Sequence, residues 1–251
     1  MKTAHYGIDA PGLVRFFFIV GAVALACALV CEFTHILGAT TKTVLSVSFG
    51  CIAAYLLGMG TLMIYSSNVM KLKDNEKLLA VVNWAGTEQV LDIGCGRGLM
   101  LVTAAKRLTT GEATGVDLWQ QSDQANNTSS ATTTNAELEG VSDRVTVQTA
   151  DMRELPFPDR QFDIVTSNWA VHNLEAESDR QIALNEIIRV LKPGGVVLLN
   201  DIVNQSEYAK YLSDKGMKDV QIHSNGIRDT ILRAITFGSF APSAVSATKA
   251  V

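Results

Sequence analysis

The sequence predicts an α/β fold: a mostly parallel sheet covered by helices, preceded by two apolar helices long enough to cross a membrane. Three observations carry that expectation. From residue 89 onward, short apolar runs ending in Gly, Asp or Ser alternate with segments of helical period. A Gly-x-Gly-x-Gly loop at 94–98 joins the first run to a helix. Two stretches, Phe16 to Cys31 and Val44 to Ile64, contain no charged residue.

The apolar stretches come first. The chain has 251 residues, 47% of them hydrophobic and 18% charged, with a mean hydropathy of +0.18. That is apolar for a soluble domain. A spanning helix needs about 20 apolar residues. The second stretch meets this, and the first does so with Arg15 or Glu32 snorkelling at its ends. The short link between them predicts a helical hairpin, with Gly50, Gly58 and Gly60 allowing close approach and a possible homodimer. A cleaved signal peptide, suggested by Val-Ala-Leu-Ala-Cys at 23–27, a buried core hairpin and an interfacial helix are the rival readings; neither stretch carries the polar face that the last requires. Lys2 and Arg15 precede the hairpin, Lys71, Lys73 and Lys77 follow it, and Lys42 alone sits in the link. Both termini are therefore expected on the cytoplasmic side. The expected organisation is an anchor over 1–73, with helices near 13–33 and 44–66, and a second domain over 74–251.

Net charge is −4 and no basic patch dominates, so a nucleic-acid partner is not expected. Cys27, Cys31, Cys51 and Cys95 form no Cys-x-x-Cys pair and lie at no metal-ligand spacing with a histidine. No metal site and no disulfide framework are expected. His5, His35 and His223 suggest no chemistry.

The second domain reads element by element. A helix is expected over 74–83, then a strand at 89–93. Leu101, Val102, Ala105 and Leu108 mark the helix after the glycine loop. Further strands are expected at 113–116, 144–148 and 162–167. Leu184, Ile187, Ile188 and Leu191 mark a helix, Lys192-Pro193-Gly194-Gly195 a turn, and 196–199 a fifth strand. The last two strands are expected at 219–223 and 244–251. Residues 121–135, rich in Ser, Thr, Asn and Gln, fit a polar loop and a helix start.

The loop at 94–98 suggests a ligand with an anionic end, because glycines let it approach backbone N–H groups at a helix start. The spacing departs from the dinucleotide pattern Gly-x-Gly-x-x-Gly: Leu99 stands where its third glycine belongs. Asp92 would repel a pyrophosphate but suits an amino group. Asp117 closes the second strand, where a carboxylate accepts from ribose hydroxyls. Asp151 follows the third strand, and Met152 beside it can pack on a ring.

These motifs, VLDIGCGRG (90–98), GVDLW (115–119), ADMRELPF (150–157), FDIVTSNWAVHNL (162–174) and RVLKPGG (189–195), resemble the successive motifs of class I S-adenosylmethionine-dependent methyltransferases. The likeness is to the branch of ubiquinone/menaquinone C-methyltransferases and small-molecule methyltransferases, and it covers nearly all of 79–251. It implies a Rossmann-like domain with a seven-stranded sheet and S-adenosylmethionine as cofactor. In the family the glycine loop holds the methionine part, the acid after strand two the ribose, and the Asp after strand three the adenine. The cofactor set implied here is Asp92, Gly94, Cys95, Gly96, Gly98, Asp117, Leu118, Asp151, Met152 and Asn168. Arg97 departs from the usual Ser or Thr, and DLWQQSDQANN at 117–127 is unlike the usual run, which points to substrate recognition.

Methyl transfer asks the protein mainly for alignment and a dry pocket, and for a base only when the nucleophile holds a proton. His172, just past the fourth strand, is the candidate base. Asn168, Trp169, Asn200 and Asp201 lie at the same sheet edge, and Asp163 reads as structural. The expected activity is methylation of a small hydrophobic or membrane-associated acceptor by an integral membrane protein with its catalytic domain in the cytoplasm. The alternatives are a soluble acceptor, with the anchor serving only location, and a non-catalytic cofactor-binding membrane partner. A nucleotide-dependent oxidoreductase is disfavoured by Leu99 and Asp92.

Overall fold

A computed structural model describes residues 3–34, 36 and 38–251; Lys2 and His35, weighed above, lie outside the described residues. The chain divides into two compact units. One is Gly7–Leu72 with Gln120–Asn127; the other is Lys73–Trp119 and Thr128–Val251 with the described residues up to Tyr6.

In the first unit, helix α1 spans Pro11–Phe33 and α2 spans Ala39–Tyr65. Pro11 opens α1, where its missing N–H removes no helical bond. At a rise of about 1.5 Å per residue, each helix exceeds the ~30 Å hydrocarbon core of a bilayer. Both are long and apolar enough to cross a membrane by length and composition. They pack on each other through small residues. A Cβ on Gly21 would lie 2.9 Å from the Leu57 side chain, and one on Gly60 would lie 2.9 Å from the Phe18 ring. Gly50 and Gly58 have no such neighbour within 4 Å, so of the three glycines expected at the helix contact only Gly60 is there. Phe16, Ile19, Val23, Val30, Val44 and Val47 are exposed.

Beyond α2 the backbone stays helical through a π-helical turn, Ser66–Met70, into α3, Lys71–Leu79. The helix expected over 74–83 therefore starts earlier and stops sooner. Trp84 Nε1 donates to the Leu79 carbonyl at 2.8 Å, taking an acceptor at its last turn. Lys71, counted above among the basic residues after the hairpin, is buried: its Nζ reaches both Asp9 oxygens at 2.7 Å. Asp9 also accepts from Ser67 Oγ at 2.9 Å. Around it, Ala10 N–H donates to Asp123 O at 2.8 Å, and Ala125 N–H to Ile8 O at 3.0 Å. The polar run after Asp117 is thus paired with the stretch before α1.

The second unit holds one seven-stranded sheet, in the order β3-β2-β1-β4-β5-β7-β6. The strands are β1 Gln89–Ile93, β2 Glu112–Asp117, β3 Val145–Thr149, β4 Phe162–Asn168, β5 Leu191–Asp201, β6 Lys218–His223 and β7 Ser243–Thr248. Among the described strands β7 alone runs opposite to the other six. Helices α4 Leu99–Ala105, α5 Ser129–Leu138, α6 Glu177–Val190, α7 Gln205–Asp214 and α8 Ile227–Ile235 complete the unit. Alternate residues of the central strands feed two cores. Val90 and Leu198 join Leu101, Val102 and Leu108 in one; Leu91 and Leu199 join Leu184, Ile187 and Tyr208 in the other.

Two expectations at the strand ends are corrected. Lys192–Gly195 is not a turn before a separate strand: β5 runs unbroken from Leu191 to Asp201, bulged so that Phe162 faces Leu191 while Ile164 faces Val196. The backbone groups of the glycine pair find partners on the far side. Gly194 N–H donates to Lys249 O, and Lys249 N–H to Gly195 O, at 2.8 and 2.9 Å. The last strand, expected to reach Val251, ends at Thr248. Asp163 is structural, accepting from the Gln89 N–H and pairing with Lys192 at 2.8 Å.

Candidate functional site

In an open sheet of this order, ligands bind outside the carboxyl ends of the strands where the winding reverses, here between β1 and β4. The loop after β1 lies at that point. Gly94, Gly96 and Gly98 have φ of +67°, +52° and +84°. A Cβ at Gly94 would fall 2.2 Å from Ala170 Cβ, a distance no side chain tolerates. The loop is held from two sides. The N–H groups of Gly94 and Cys95 donate to Val116 O at 2.8 and 3.0 Å. From α5, Thr132 Oγ1 donates to Gly96 O and Asn135 Nδ2 to Arg97 O, at 2.6 and 2.8 Å. Arg97 Nε donates to His5 O at 2.8 Å, so the departure at that position ties the loop to the N-terminal residues.

Asp117, at the end of β2, accepts from the Gly96 N–H at 2.8 Å and the Trp119 N–H at 2.6 Å. A carboxylate has about four acceptor sites. At the end of the second strand such a carboxylate suits ribose hydroxyls.

Asp92 is fully buried in β1. Its Oδ1 accepts from Thr166 Oγ1 at 2.8 Å, whereas its Oδ2 meets no donor at hydrogen-bond geometry. Burial pushes the carboxyl up to about 7, and Thr166 and the Leu101 N–H offset only part of that. An orphaned buried carboxylate oxygen fits a ligand ammonium.

The other candidates are placed as follows. The Cys95 side chain points into the core against Leu101 and Gly115, and burial pushes its thiol well up, so its backbone alone is at the loop. Leu118 is exposed. Met152 reaches to 3.9 Å from the point where a Cβ on Gly94 would sit. Arg153 grips Asp151, Nη2 to Oδ2 at 2.6 Å, and holds that carboxyl below its usual range. Asn168, ending β4, accepts from Asn200 Nδ2 at 2.8 Å.

Past β4 the chain turns sharply. Trp169 has φ +54°, its N–H donates to Asn200 O at 2.8 Å, and its ring meets Phe240 edge-on at 5.6 Å. Three residues on stands His172, whose Nδ1 lies 2.5 Å from Asp201 Oδ1. Asp201 is buried at the end of β5, and its Oδ2 accepts from the His172 N–H and from Tyr208 OH, at 3.1 and 3.0 Å. With Asp201 as acceptor, Nδ1 carries the hydrogen and Nε2 is the basic nitrogen. Burial, and then Asp201, drive the Tyr208 hydroxyl far up, so it stays a donor.

Sequence reasoning marked Asp201 for its edge position but not as the partner of His172. It missed Thr132, Asn135 and Tyr208 altogether. Helical spacing from the Thr128 cap, whose side chain accepts from the Ala131 N–H, is the signal that puts Thr132 and Asn135 on one face of α5.

Comparison with known proteins agrees with this arrangement. Residues 91–199 match the family model described as a methyltransferase domain. The chain is 33% identical over 131 residues to 27-O-demethylrifamycin SV methyltransferase of Amycolatopsis mediterranei, covering 51% of this chain and 43% of that protein. It is 35% identical over 124 residues to a demethylmenaquinone methyltransferase of Symbiobacterium thermophilum, covering 49% and 46%. The chain thus spans less than half the length of either relative. Among solved structures, geranyl diphosphate C-methyltransferase from Streptomyces coelicolor, in complex with Mg2+, geranyl diphosphate and S-adenosyl-L-homocysteine, superposes with a TM-score of 0.56. That match has 18% identity and covers 74% of this chain and 83% of the other. The matched family model and the sheet order together identify residues 91–199 as a methyltransferase domain of the class I S-adenosylmethionine-dependent fold.

Proposed function

We propose that the protein is a membrane-anchored methyltransferase that moves a methyl group from S-adenosylmethionine to a small, apolar acceptor whose accepting atom carries a removable proton. One observation carries the reading: Ala170 Cβ lies 2.2 Å from where Gly94 would place a Cβ, so the donor loop and the segment bearing His172 are in contact. Donor cradle and base therefore share one crevice.

The residues present fit the cofactor. The unpartnered Asp92 Oδ2 takes its ammonium, the glycine loop admits its methionine part, Asp117 accepts from its ribose, and Asp151 with Met152 meets the adenine. When bound, the sulfonium supplies an activated methyl group, so the chain itself need only position and deprotonate. Asp201 fixes the His172 ring, and Nε2 takes the acceptor's proton as the nucleophile attacks. Asp201 then stabilises the imidazolium, and the Tyr208 hydrogen bond keeps that carboxylate in place.

Two lines support the acceptor class. The relatives named for demethylmenaquinone and demethylrifamycin act on small molecules. The exposed apolar faces of α1 and α2 suit a bilayer, where apolar acceptors concentrate. The basic residues flanking the hairpin favour a cytoplasmic catalytic domain.

Calorimetry of S-adenosylmethionine and NADH with the purified full chain tests the donor site. Saturable binding of the methyl donor alone is expected. A folded sample that ignores the methyl donor overturns the assignment. Methyl transfer to lipid extracts in vesicles, lost in His172→Ala with donor binding intact, tests the acceptor reading. Undiminished transfer by that variant overturns the role of His172.

A further inference from the structure

Residues 224–242 connect β6 to β7, far longer than a hairpin turn needs. Since β7 is antiparallel to both β5 and β6, this connector hangs from the sheet edge that also carries His172 and Asp201. Its C-terminal root is fastened there. Ala241 N–H donates to Ile202 O at 3.0 Å, Gln205 Nε2 to Ala241 O at 3.2 Å, and Phe240 stacks edge-on against Trp169.

The helix within it, α8, turns an apolar stripe outward. It buries Asp229 and Leu232. Asp229 is occupied locally, accepting from Ser224 Oγ, the Asn225 N–H and Arg228 Nε. Ile227, Ile231 and Ile235, one stripe at i, i+4 and i+8, are 79%, 52% and 42% exposed, and Phe237 beyond them is 89% exposed. Helical spacing sets Arg228 and Arg233 on either flank; Arg228 is held inward by Asp74, Nη1 at 2.9 Å and Nη2 at 2.7 Å, and Arg233 is exposed. Apolar residues outward with an arginine at the side is the pattern of a helix lying in a membrane interface, its cation at headgroup level.

We infer that this connector is a membrane-docking lip at the mouth of the acceptor site, inserting Ile227, Ile231 and Phe237 into the lipid from which the acceptor enters beside Trp169 and His172. The occupant is the bilayer that α1 and α2 cross, so the inference rests on the membrane-anchored reading. Two spans on the same chain keep that bilayer at high effective concentration. Arg233, exposed on the outer flank, complements anionic headgroups.

The test places dansylalanine at position 231, at position 52 in α2, or at position 137 on α5, in the full chain. Each labelled protein is reconstituted into vesicles of brominated phosphatidylcholine and phosphatidylglycerol, and an unchanged melting temperature certifies each fold. Probes at 231 and 52 are expected to lose about half their emission or more relative to non-brominated vesicles, with 137 unaffected. Quenching at 52 with none at 231 overturns the lip and leaves the anchor standing. No quenching at either position overturns the anchor and the lip with it. A blue-shifted yet unquenched probe at 231 marks coverage by protein, a second copy included, and also overturns the lip.

Discussion

Asp92→Asn separates what a buried acid does for binding from what it does to the empty protein. The folded chain holds the Asp92 proton up to about pH 7, whereas the ordinary carboxyl releases it near 3.8. Between those values the folded state binds the extra proton, so stability falls as pH rises and levels off above about 7. At about 1.4 kcal/mol per pH unit the ionised group costs on the order of 4 kcal/mol at pH 8. The amide keeps an acceptor for Thr166 but leaves a buried N–H2 without a partner, a penalty of about 1–3 kcal/mol. The ligand-free variant should therefore be the more stable by about 2 kcal/mol at pH 8, a melting temperature raised by roughly 4–8 °C. Near pH 5 the advantage should vanish or reverse. Affinity for S-adenosylmethionine should fall at the same time by about tenfold or more, the worth of a hydrogen bond between charged groups. Scanning fluorimetry across pH 5 to 9, beside calorimetry at pH 8, measures both. Parallel melting curves for the two proteins, or equal affinity, would refute the reasoning. The same linkage predicts that the native protein releases a proton on binding the cofactor below pH 7, read from the buffer dependence of the binding heat.

Asp117→Ala removes the acceptor of two loop N–H groups as well as the ribose partner, so donor affinity should drop at least about tenfold by calorimetry. Asp201→Asn should lower kcat about a hundredfold or more through His172 while leaving the donor Kd unchanged; an unaltered kcat and pH–rate profile would remove the His172–Asp201 pair from the reaction. Gly94→Ala should fail to accumulate as folded protein, and adding Ala170→Gly should recover most of the loss, leaving the positive-φ penalty of about 1 kcal/mol in a melting experiment. Lys71→Met strands the Asp9 carboxylate and should destabilise the first unit by about 3–5 kcal/mol, with the Asp9→Asn, Lys71→Met pair closer to native in urea unfolding.

How far the sequence foretold all this depends on the range of the interaction. β1 and its glycine loop were legible because five apolar residues and three glycines fix local geometry by themselves. The sharp identity of Leu99, which separates this loop from a dinucleotide loop, is equally local. Lys192–Gly195 misled because glycine and proline signal a turn wherever they fall, while its fate as a bulge was decided by Lys249, more than fifty residues on. The partnership of His172 with Asp201 required knowing that β4 and β5 are neighbours with Asn168 opposite Asn200. Lys71 entered the count of basic residues after the hairpin with no partner assigned, because nothing near it in sequence announces Asp9, which arrives from before α1. Gly50 and Gly58 read as contact residues because composition reveals that a helix has small positions but not which way they face.

The contact between Gly94 and Ala170 has a kinetic meaning. Only a hydrogen separates the glycine turn after β1 from the turn that leads to His172, so neither can shift without pushing the other. On the proposed reading, seating the donor against the Gly94 turn would fix the position of His172 before any acceptor arrives. Steady-state turnover should then follow a compulsory order, donor first, with product inhibition by the spent cofactor competitive against the donor and noncompetitive against the acceptor. A larger residue at position 170 would alter that order of events without touching a single polar group in the crevice.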